Sequence, residues 1–408
     1  MFVKNHIIKE LRNVDLVVIL IAMMVFAMLL VSFNFGEVSD QQFTYLARSF
    51  IHGKLYFTEL PNLHDVAPFN GKYYWPSGPL PAILLIPLVK LFDIFDLFFY
   101  QGYLEFFITL SIFYLLFRIA QILGYRSTDS LYLAFAFSAG SVYLYIALLT
   151  NSYFYAQALT VLLLLLAIYE SLTKNRHWLI GLCLGAVLMT RVTAAVAVIF
   201  FILVTLVSDK KVNKIIKLTQ LLSPMLIAFF LLLLYNYFRF QNIWESGYNL
   251  HLATNFFERS RSYGLFSLVH LPGNLYYFLL GHPLPVFRDG VSHVLKPPYI
   301  TADPWGMSIL ITSPYYIYLF FGSYHSRLMK ILWITVVAIA IPIFLYHGIG
   351  YIQFGYRYAL DFLPFLFLLF LLTLYQKSPT LSLPFKILFI TNSLTNFYLI
   401  VTLLFAGQ

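Results

Sequence analysis

The chain has 408 residues, of which 61% are hydrophobic, 19% aromatic and only 11% charged, and its mean hydropathy is +0.80. Soluble globular domains carry about 25% charged residues, so this composition excludes an ordinary soluble enzyme. The formal net charge of +9 does not indicate a nucleic-acid partner, because the basic residues lie in short clusters between apolar segments, as in membrane proteins. The single cysteine, Cys183, excludes an internal disulfide and a cysteine-based metal site.

The N-terminal region predicts a first membrane span. Residues 14–33 are nearly all apolar, which is about the length that a helix needs to cross the hydrocarbon core. Lys4, Lys9 and Arg12 precede this stretch, and no small-residue cleavage site follows it. We therefore predict an uncleaved signal anchor whose N-terminus lies in the cytoplasm.

Residues 34–96 form the first predicted extracytoplasmic loop, because acidic residues, Gly, Pro and aromatic residues interrupt the apolar pattern. The stretch from Ser39 resembles a capping box, and apolar residues then recur at helical spacing until Gly53. This pattern predicts a short amphipathic helix at the membrane surface, with Asp40 in its first turn, where the helix dipole keeps a carboxylate ionised. Such a carboxylate can act as a general base. The alternative is that Asp40 only favours the helix start.

The apolar stretch 79–95 contains three prolines, a lysine and an aspartate, so its composition alone does not decide whether it crosses the membrane. If it crossed the membrane, the following span would place Arg118 and Arg126 outside. If it lies along the interface, both arginines and the later basic clusters fall in the cytoplasm, as the positive-inside rule requires. We therefore predict that this stretch is interfacial or re-entrant.

The rest of the chain predicts an all-α polytopic membrane protein. A second long polar segment, 239–305, becomes the second extracytoplasmic loop. No internal repeat or low-complexity linker divides the sequence, so residues 1–408 are predicted to form a single transmembrane domain. About eleven spans are expected, at 14–33, 97–117, 129–149, 154–172, 178–190, 193–207, 218–238, 306–322, 331–347, 357–375 and 384–405.

Several motifs together resemble those of one superfamily. Asp40 lies just beyond the first predicted span and is followed by Tyr45, Ala47 and Gly53. The other motifs are WPSGP at 75–79, the apolar run 84–92, GLCLGAVLMTR at 181–191, NYFRFQNIWESG at 236–247 and GYRYALDFLP at 355–364. In their order and sidedness they resemble the GT-C superfamily, and within it the bacterial relatives of the protein O-mannosyltransferase family, glycosyltransferase family 39.

The resemblance implies a GT-C-like helical bundle in the bacterial plasma (inner) membrane, with interfacial helices in two extracytoplasmic loops. It implies an inverting glycosyltransferase that takes a sugar from a polyprenyl-phosphate donor and transfers it to an acceptor lipid, glycan or protein. In that family the first-loop Asp is the catalytic base, which corresponds here to Asp40. Many relatives carry a second acid directly after it, whereas this chain has Gln41. Glu37 and Asp65 are the nearby candidates for a second carboxylate.

Three basic residues are candidates for binding the lipid phosphate. Arg357 begins a predicted span at the outer face, and Arg191 lies between two short spans on that face. The planar guanidinium binds two phosphate oxygens and stays charged when partly buried. The alternatives are an ion pair between Arg357 and Asp361 one turn later, and snorkelling of Arg191 to the interface. Lys72 is the third candidate, with a solvated loop lysine as its alternative.

Other polar and aromatic residues of the loops are candidates for binding substrate, with a structural role in the loops or in an interfacial aromatic belt as the alternative. They are Glu37, His64, Asp65, Tyr74, Glu245 and Tyr356. The histidines show no tight metal-ligand spacing, so no metal or other cofactor is expected, and a divalent metal is the alternative.

Two other functional classes remain open. A transporter or flippase for lipid-linked sugars would be expected to show paired repeats and charges near the midplane, whereas the charges here are predicted at the outer rim. A ligase or polymerase of surface polysaccharide would use similar lipid phosphates, so composition does not exclude it. A non-catalytic scaffold gives no reason for Asp40, Arg191 and Arg357 to share one face.

Overall fold

The computed structural model of the chain describes residues 2–36, 38, 40–207, 213–252, 255–289 and 293–405. Nearly all of its regular structure is helical. The α-helices are α1 (Phe2–Asn34), α2 (Gln42–Ile51), α3 (Leu80–Asp93), α4 (Gln101–Ile122), α5 (Ser127–Ser138), α6 (Tyr143–Leu148), α7 (Ser152–Leu172), α8 (His177–Leu188), α9 (Val198–Val207), α10 (Lys214–Phe240), α11 (Asn255–Arg261), α12 (Leu271–Leu279), α13 (Ile309–Thr312), α14 (Arg327–Leu345), α15 (Leu363–Lys377) and α16 (Leu383–Phe405). Short 3₁₀ helices cover Thr193–Ala197, Leu268–His270, Pro314–Phe321 and Arg357–Asp361.

Two small hairpins complete the described elements. In the first loop, β1 (Ala67–Phe69) pairs antiparallel with β2 (Lys72–Tyr74), and the Asn-Gly turn between them has positive φ at both residues. Asn and Gly tolerate positive φ better than other residues, and tight hairpin turns need it. In the second loop, β3 (Leu284–Phe287) pairs antiparallel with β4 (Leu295–Thr301).

Within the part of the chain that the structure describes, six helices are long and apolar enough to cross a membrane, so the chain has the character of a helical membrane protein. They are Val14–Asn34, Gln101–Ile122, Ser152–Leu172, Lys214–Phe240, Arg327–Leu345 and Leu383–Phe405. Three shorter apolar helical stretches are His177–Leu188, Thr193–Val207 and Leu363–Lys377. Most of these ranges match predicted spans closely.

The prediction of eleven continuous spans is not confirmed, because several of the predicted spans are divided into shorter helices. The range predicted as a span at 129–149 is divided into the two helices α5 and α6. The range at 306–322 is divided into α13 and a 3₁₀ helix. Asn392 of α16 donates to the carbonyl oxygens of Gly140 and Thr312, at 2.7 and 3.2 Å, and Asn396 donates to Thr312 at 2.8 Å. Irregular backbone is tolerated at membrane depth where protein groups satisfy it, and these amides do so here.

Helix α3 has 14 residues and is not among the candidate spans. At 1.5 Å per residue it is about 21 Å long, shorter than a hydrocarbon core of about 30 Å. This length agrees with the prediction that residues 79–95 do not cross the membrane. Arg48 of α2 pairs with Asp93 at the end of α3 at 2.6 Å and joins the two helices.

Glycines allow α8 and α10 to pack closely. A Cβ atom at Gly181 would lie 2.2 Å from the carbonyl oxygen of Leu221, and one at Gly185 would lie 3.1 Å from that of Pro224. Small residues four apart bring the backbones of membrane helices together in this way. Since Arg191 follows α8 closely, this packing also fixes the position of that arginine.

At the end of the bundle where α1 begins, a lysine bridges two carboxylates. The Nζ atom of Lys386 in α16 lies 2.5 Å from Asp15 of α1 and 3.3 Å from Asp129 of α5. The side chains of Lys386 and Asp129 are 12% and 6% exposed. This ion triad joins the first and last helices of the described chain.

We expect Lys386→Met to lower the free energy of unfolding by about 3 kcal/mol, because removing one partner leaves buried charges uncompensated. The measurement is thermal unfolding in detergent. The triple variant Asp15→Asn, Asp129→Asn, Lys386→Met removes all three charges and should recover most of the loss. A triple variant no more stable than the single one would show that the charges are not what stabilises this contact.

Candidate functional site

Asp40 lies where the first loop meets the start of α7. Its backbone carbonyl accepts hydrogen bonds from the backbone N–H and the hydroxyl of Ser152, both at 3.1 Å, and from the amide of Gln101 at 3.3 Å. The next residue, Gln41, accepts from the N–H of Gln101 at 2.7 Å and donates to the carbonyl of Thr150 at 3.2 Å. These contacts fix the backbone of Asp40 against α4 and α7.

The predicted amphipathic helix is present as α2, but Asp40 is not in its first turn. The helix begins at Gln42, and its N-cap residue Gln41 makes no capping side-chain hydrogen bond. Because the Gln41 side chain is bound to α4 and to Thr150 instead, it does not cap the helix. Ser39, the first residue of the predicted capping box, lies outside the described residues, as does Glu37.

Asp40 is half-buried. Among the described residues, no side chain donates a hydrogen bond to its carboxylate, and no cation forms a salt bridge with it. The described part of the chain therefore leaves the carboxylate oxygens without a protein hydrogen-bond donor. The geometry therefore agrees with the predicted role of a general base and does not test it.

Arg357 is a buried cation, 7% exposed, for which the described part of the chain supplies no carboxylate partner. Its Nη1 donates to Gln157 of α7 at 3.2 Å and its Nη2 to the Tyr358 hydroxyl at 3.4 Å. Its guanidinium carbon lies 4.6, 5.3 and 6.0 Å from the ring centres of Tyr358, Phe154 and Tyr153. Aromatic faces and neutral hydrogen bonds stabilise the charge only in part, so the guanidinium remains suited to an anionic ligand.

The alternative that Arg357 pairs with Asp361 is wrong, because Asp361 binds Arg191. The Arg191 Nε and Nη2 atoms lie 2.8 and 3.1 Å from the two carboxylate oxygens of Asp361, and the Thr193 hydroxyl donates to the same carboxylate at 2.6 Å. Arg191 therefore does not snorkel to the interface. Although burial opposes its charge, Asp361 raises the pKa of Arg191. The pair is neutral as a unit, whereas Arg357 has no carboxylate partner among the described residues. Arg239, at the end of α10, is also buried without such a partner among these residues, but backbone carbonyls and Asn236 accept its hydrogen bonds.

Tyrosines surround the two arginines. Tyr358 lies between them, with its ring centre 4.6 Å from the guanidinium carbon of Arg357 and 5.8 Å from that of Arg191. Burial raises the pKa of Tyr248 in the second loop, and the charges of both arginines oppose this rise. Phenol hydroxyls next to an arginine can donate hydrogen bonds to an anion, so the site offers donors in addition to the guanidinium.

The first and second loops contact each other next to the end of α10. Arg239, at the end of α10, donates to the carbonyl of Trp75 at 2.6 Å and to that of Ser246 at 3.3 Å. The hydroxyls of Ser77 and Tyr248 are 3.4 Å apart. We call this end of the bundle the loop end. The contacts hold the first-loop motif at 75–79 close to Arg191 and Arg357.

Asp65 joins the loops through two histidines. Its carboxylate oxygens lie 3.1 Å from His251 Nε2 in the second loop and 3.2 Å from His64 Nδ1. The same Nε2 is 3.5 Å from the hydroxyl of Tyr153 at the start of α7. The two histidines therefore contact both carboxylate oxygens of Asp65. Because His251 also contacts Tyr153, Asp65 lies in the site.

Four predicted site residues have other partners. The Lys72 ammonium is exposed and lies 4.4 Å from the ring centre of Tyr56. Tyr74 packs on Phe240 at 5.1 Å between ring centres. Glu245 accepts from the N–H of Gly247 and the amide of Asn249 within its own loop.

Tyr356 is the fourth of these residues. It is buried, and its hydroxyl donates to Asn274 at 2.7 Å. The contacts of all four residues agree with the structural alternative for each of them. In the described residues, no group of three or more His, Cys, Asp or Glu side chains is arranged to hold a metal ion.

Gly78 sets the distance between the first loop and the turn that carries Arg191. A Cβ atom at Gly78 would lie 2.1 Å from the carbonyl oxygen of Met189. We expect Gly78→Ala to lower stability by about 1–3 kcal/mol through overpacking, and to lower any activity that depends on Arg191. Thermal unfolding and an activity assay check this result.

Gly273→Ala is the matched control for that variant, because a Cβ atom at Gly273 has no neighbour within 4 Å. It should leave both stability and activity near the wild-type values. If Gly78→Ala behaves like Gly273→Ala, the close contact with Met189 does not hold the loop.

Comparison with protein-family models, with curated proteins and with solved structures gives no match. The fold defines a class of protein, namely a mostly helical chain with apolar helices suited to a lipid bilayer. At the loop end, the start of α7 holds two residues, the half-buried Asp40 and the buried Arg357, which has no carboxylate partner among the described residues.

Proposed function

We propose that this chain is an inverting glycosyltransferase of the GT-C type. It transfers a sugar from a polyprenyl-phosphate donor to a hydroxyl of an acceptor lipid, glycan or protein, at the extracytoplasmic face of a bacterial inner membrane. The observation that carries the proposal is Arg357, a buried cation that lacks a carboxylate among the described residues and shares the loop end with Asp40. A charge in such a place is costly and is therefore a functional candidate.

The start of α7 forms hydrogen bonds with both Asp40 and Arg357. Ser152 holds the backbone of Asp40, and Gln157, five residues later, holds Arg357. Five residues of helix correspond to about 7.5 Å of rise. The first turns of α7 therefore hold both Asp40 and Arg357, as expected of a base and a phosphate-binding group of one site.

The chemistry matches this arrangement. The acceptor oxygen attacks the anomeric carbon while the bond from that carbon to the phosphate oxygen breaks, so one displacement inverts the configuration. The acceptor proton passes to Asp40, and the lipid phosphate leaves with the bonding electrons. A fixed guanidinium stabilises the charge that develops on the leaving group, which is the role proposed for Arg357.

Helix α3 begins next to the turn that carries Arg191, where the Leu80 N–H donates to the Met189 carbonyl at 3.2 Å. Helix α3 follows the first-loop motif at 75–79 and exposes Ile83, Leu84 and Leu91. Apolar side chains on such a helix suit contact with acyl chains. A polyprenyl donor could therefore keep its chain in the bilayer while its phosphate reaches Arg357.

The test is transfer by the purified chain. It is reconstituted with candidate polyprenyl-phosphate sugars and acceptor extracts, and products are followed by mass spectrometry beside envelope lipids, glycans and proteins from cells with and without the chain. Loss of one sugar modification in cells, reproduced by transfer in vitro, supports the proposal. Donor moved across vesicles without being consumed would instead indicate a flippase, and joining of preassembled glycans would indicate a ligase or polymerase.

A further inference from the structure

Tyr153 lies between Arg357 and the pair formed by His251 and Asp65. Its ring centre is 6.0 Å from the guanidinium carbon of Arg357, and its hydroxyl is 3.5 Å from Nε2 of His251. The ring packs on Trp75, whose ring centre is 5.1 Å away. Because Trp75 is fully buried, this packing fixes the direction of the phenol.

The position of one proton follows from Asp65. A carboxylate only accepts hydrogen bonds, so the nitrogen that faces it must carry the hydrogen. The Nε2 atom of His251 lies 3.1 Å from Asp65, and we therefore assign the hydrogen to Nε2. A nitrogen that carries this hydrogen does not accept one from the Tyr153 hydroxyl.

The hydroxyl hydrogen of Tyr153 is consequently free to point away from His251. The part of the chain that the structure describes places no other hydrogen-bond acceptor within reach of this hydroxyl. Two opposite charges lie near Tyr153: the carboxylate of Asp65, which shares Nε2 of His251 with the Tyr153 hydroxyl, and the guanidinium of Arg357, 6.0 Å from the ring centre. The phenol is thus a hydrogen-bond donor of fixed direction beside the Arg357 guanidinium, and the two histidines bind the carboxylate of Asp65.

We propose that Tyr153 donates a hydrogen bond to the phosphate of the lipid-linked donor, beside Arg357, and that Asp65 and His251 are positioning residues that direct the phenol. This inference rests on the proposed function. It gives Asp65 a role other than that of a second catalytic carboxylate. It also explains why residues of both loops meet at the start of α7.

The test measures binding of undecaprenyl phosphate to the full chain in nanodiscs, with undecaprenol as the neutral probe. A hydrogen bond to a charged group is worth about 1.5–3 kcal/mol, so Tyr153→Phe should weaken phosphate binding by roughly 10- to 100-fold. Undecaprenol binding should not change. Tyr276→Phe, at an exposed tyrosine of the second loop, is the matched control and should bind like the wild type.

The positioning role is tested at His251. The amide nitrogen of Gln can replace Nε2–H as a donor to Asp65, whereas Phe cannot. His251→Gln should therefore retain most phosphate affinity, and His251→Phe should lose it to the extent that Tyr153→Phe does. Equal loss in both His251 variants would overturn the positioning role.

The remaining outcomes separate this inference from the proposed function. If the wild type binds undecaprenyl phosphate and Tyr153→Phe binds it equally well, the inference is overturned, but the proposed function is not. Equal losses for undecaprenyl phosphate and undecaprenol also overturn it, since they indicate altered packing. No binding of undecaprenyl phosphate by the wild type overturns the proposed donor and the inference with it.

Discussion

Replacement of Asp40 by Asn is expected to lower sugar transfer by roughly 10²- to 10⁴-fold, the usual contribution of a general base. The amide keeps the shape of the side chain but does not accept the proton of an acceptor hydroxyl. The fold should persist, because Ser152 and Gln101 bind the backbone carbonyl of Asp40 and not its carboxylate. Turnover of the purified variant, together with its melting temperature, is the measurement.

The matched control is Asp96→Asn. Asp96 lies between α3 and α4 with a φ of 56°, a conformation that Asn tolerates as well as Asp. This variant should transfer sugar at the wild-type rate. If Asp40→Asn also keeps near-normal turnover, Asp40 is not the base.

Arg357→Met should lower turnover by roughly 10²- to 10³-fold, the cost of removing one donor that stabilises a developing anion. It should not lower the melting temperature, because the described residues offer no carboxylate that would be left unpaired. A buried cation without such a partner opposes folding through its desolvation. We therefore expect equal or higher stability with lost donor affinity, measured by undecaprenyl phosphate binding and thermal unfolding.

Two further variants sharpen this test. Arg357→Lys should recover only part of the loss, since lysine offers a point charge and not a planar fork. Arg176→Met, which removes the partner of Glu170 at the other end of the bundle, should leave donor binding unchanged. Unchanged donor affinity with a lowered melting temperature in Arg357→Met would make Arg357 a structural residue.

The helices were largely predictable, because long apolar runs must be helical in lipid. The short helix after Asp40 was also predicted, and it ends before Gly53, whose φ is 66°. Its first residue was misplaced because the Gln41 side chain binds residues that are distant in sequence. The division of the span at 129–149 was not predictable from hydropathy, since it depends on amides of α16.

The charged residues of the site were predictable from the sequence, but the partners that each of them contacts were not. The spacing of Arg357 and Asp361 indicated a helical i,i+4 pair, but this segment is a 3₁₀ helix. With three residues per turn, positions four apart no longer share a face, and Asp361 is left for Arg191. Tyr153 and Gln157 were missed, because nothing in the sequence near them indicates that they approach Arg357. Tyr358 directly follows Arg357 in the chain, but only the structure shows its ring between the two arginines.

The ion triad at Lys386 imposes an order on biogenesis. Asp15 and its lysine are 371 residues apart in the sequence, so ribosomes deliver the two aspartates to the membrane long before their counter-ion exists. Until α16 has been synthesised and inserted, α1 and α5 lack the charge that neutralises their carboxylates. Helix α1 therefore acquires the cation that neutralises Asp15 only when α16 is inserted, and this end of the bundle is completed only after α16 has been translated.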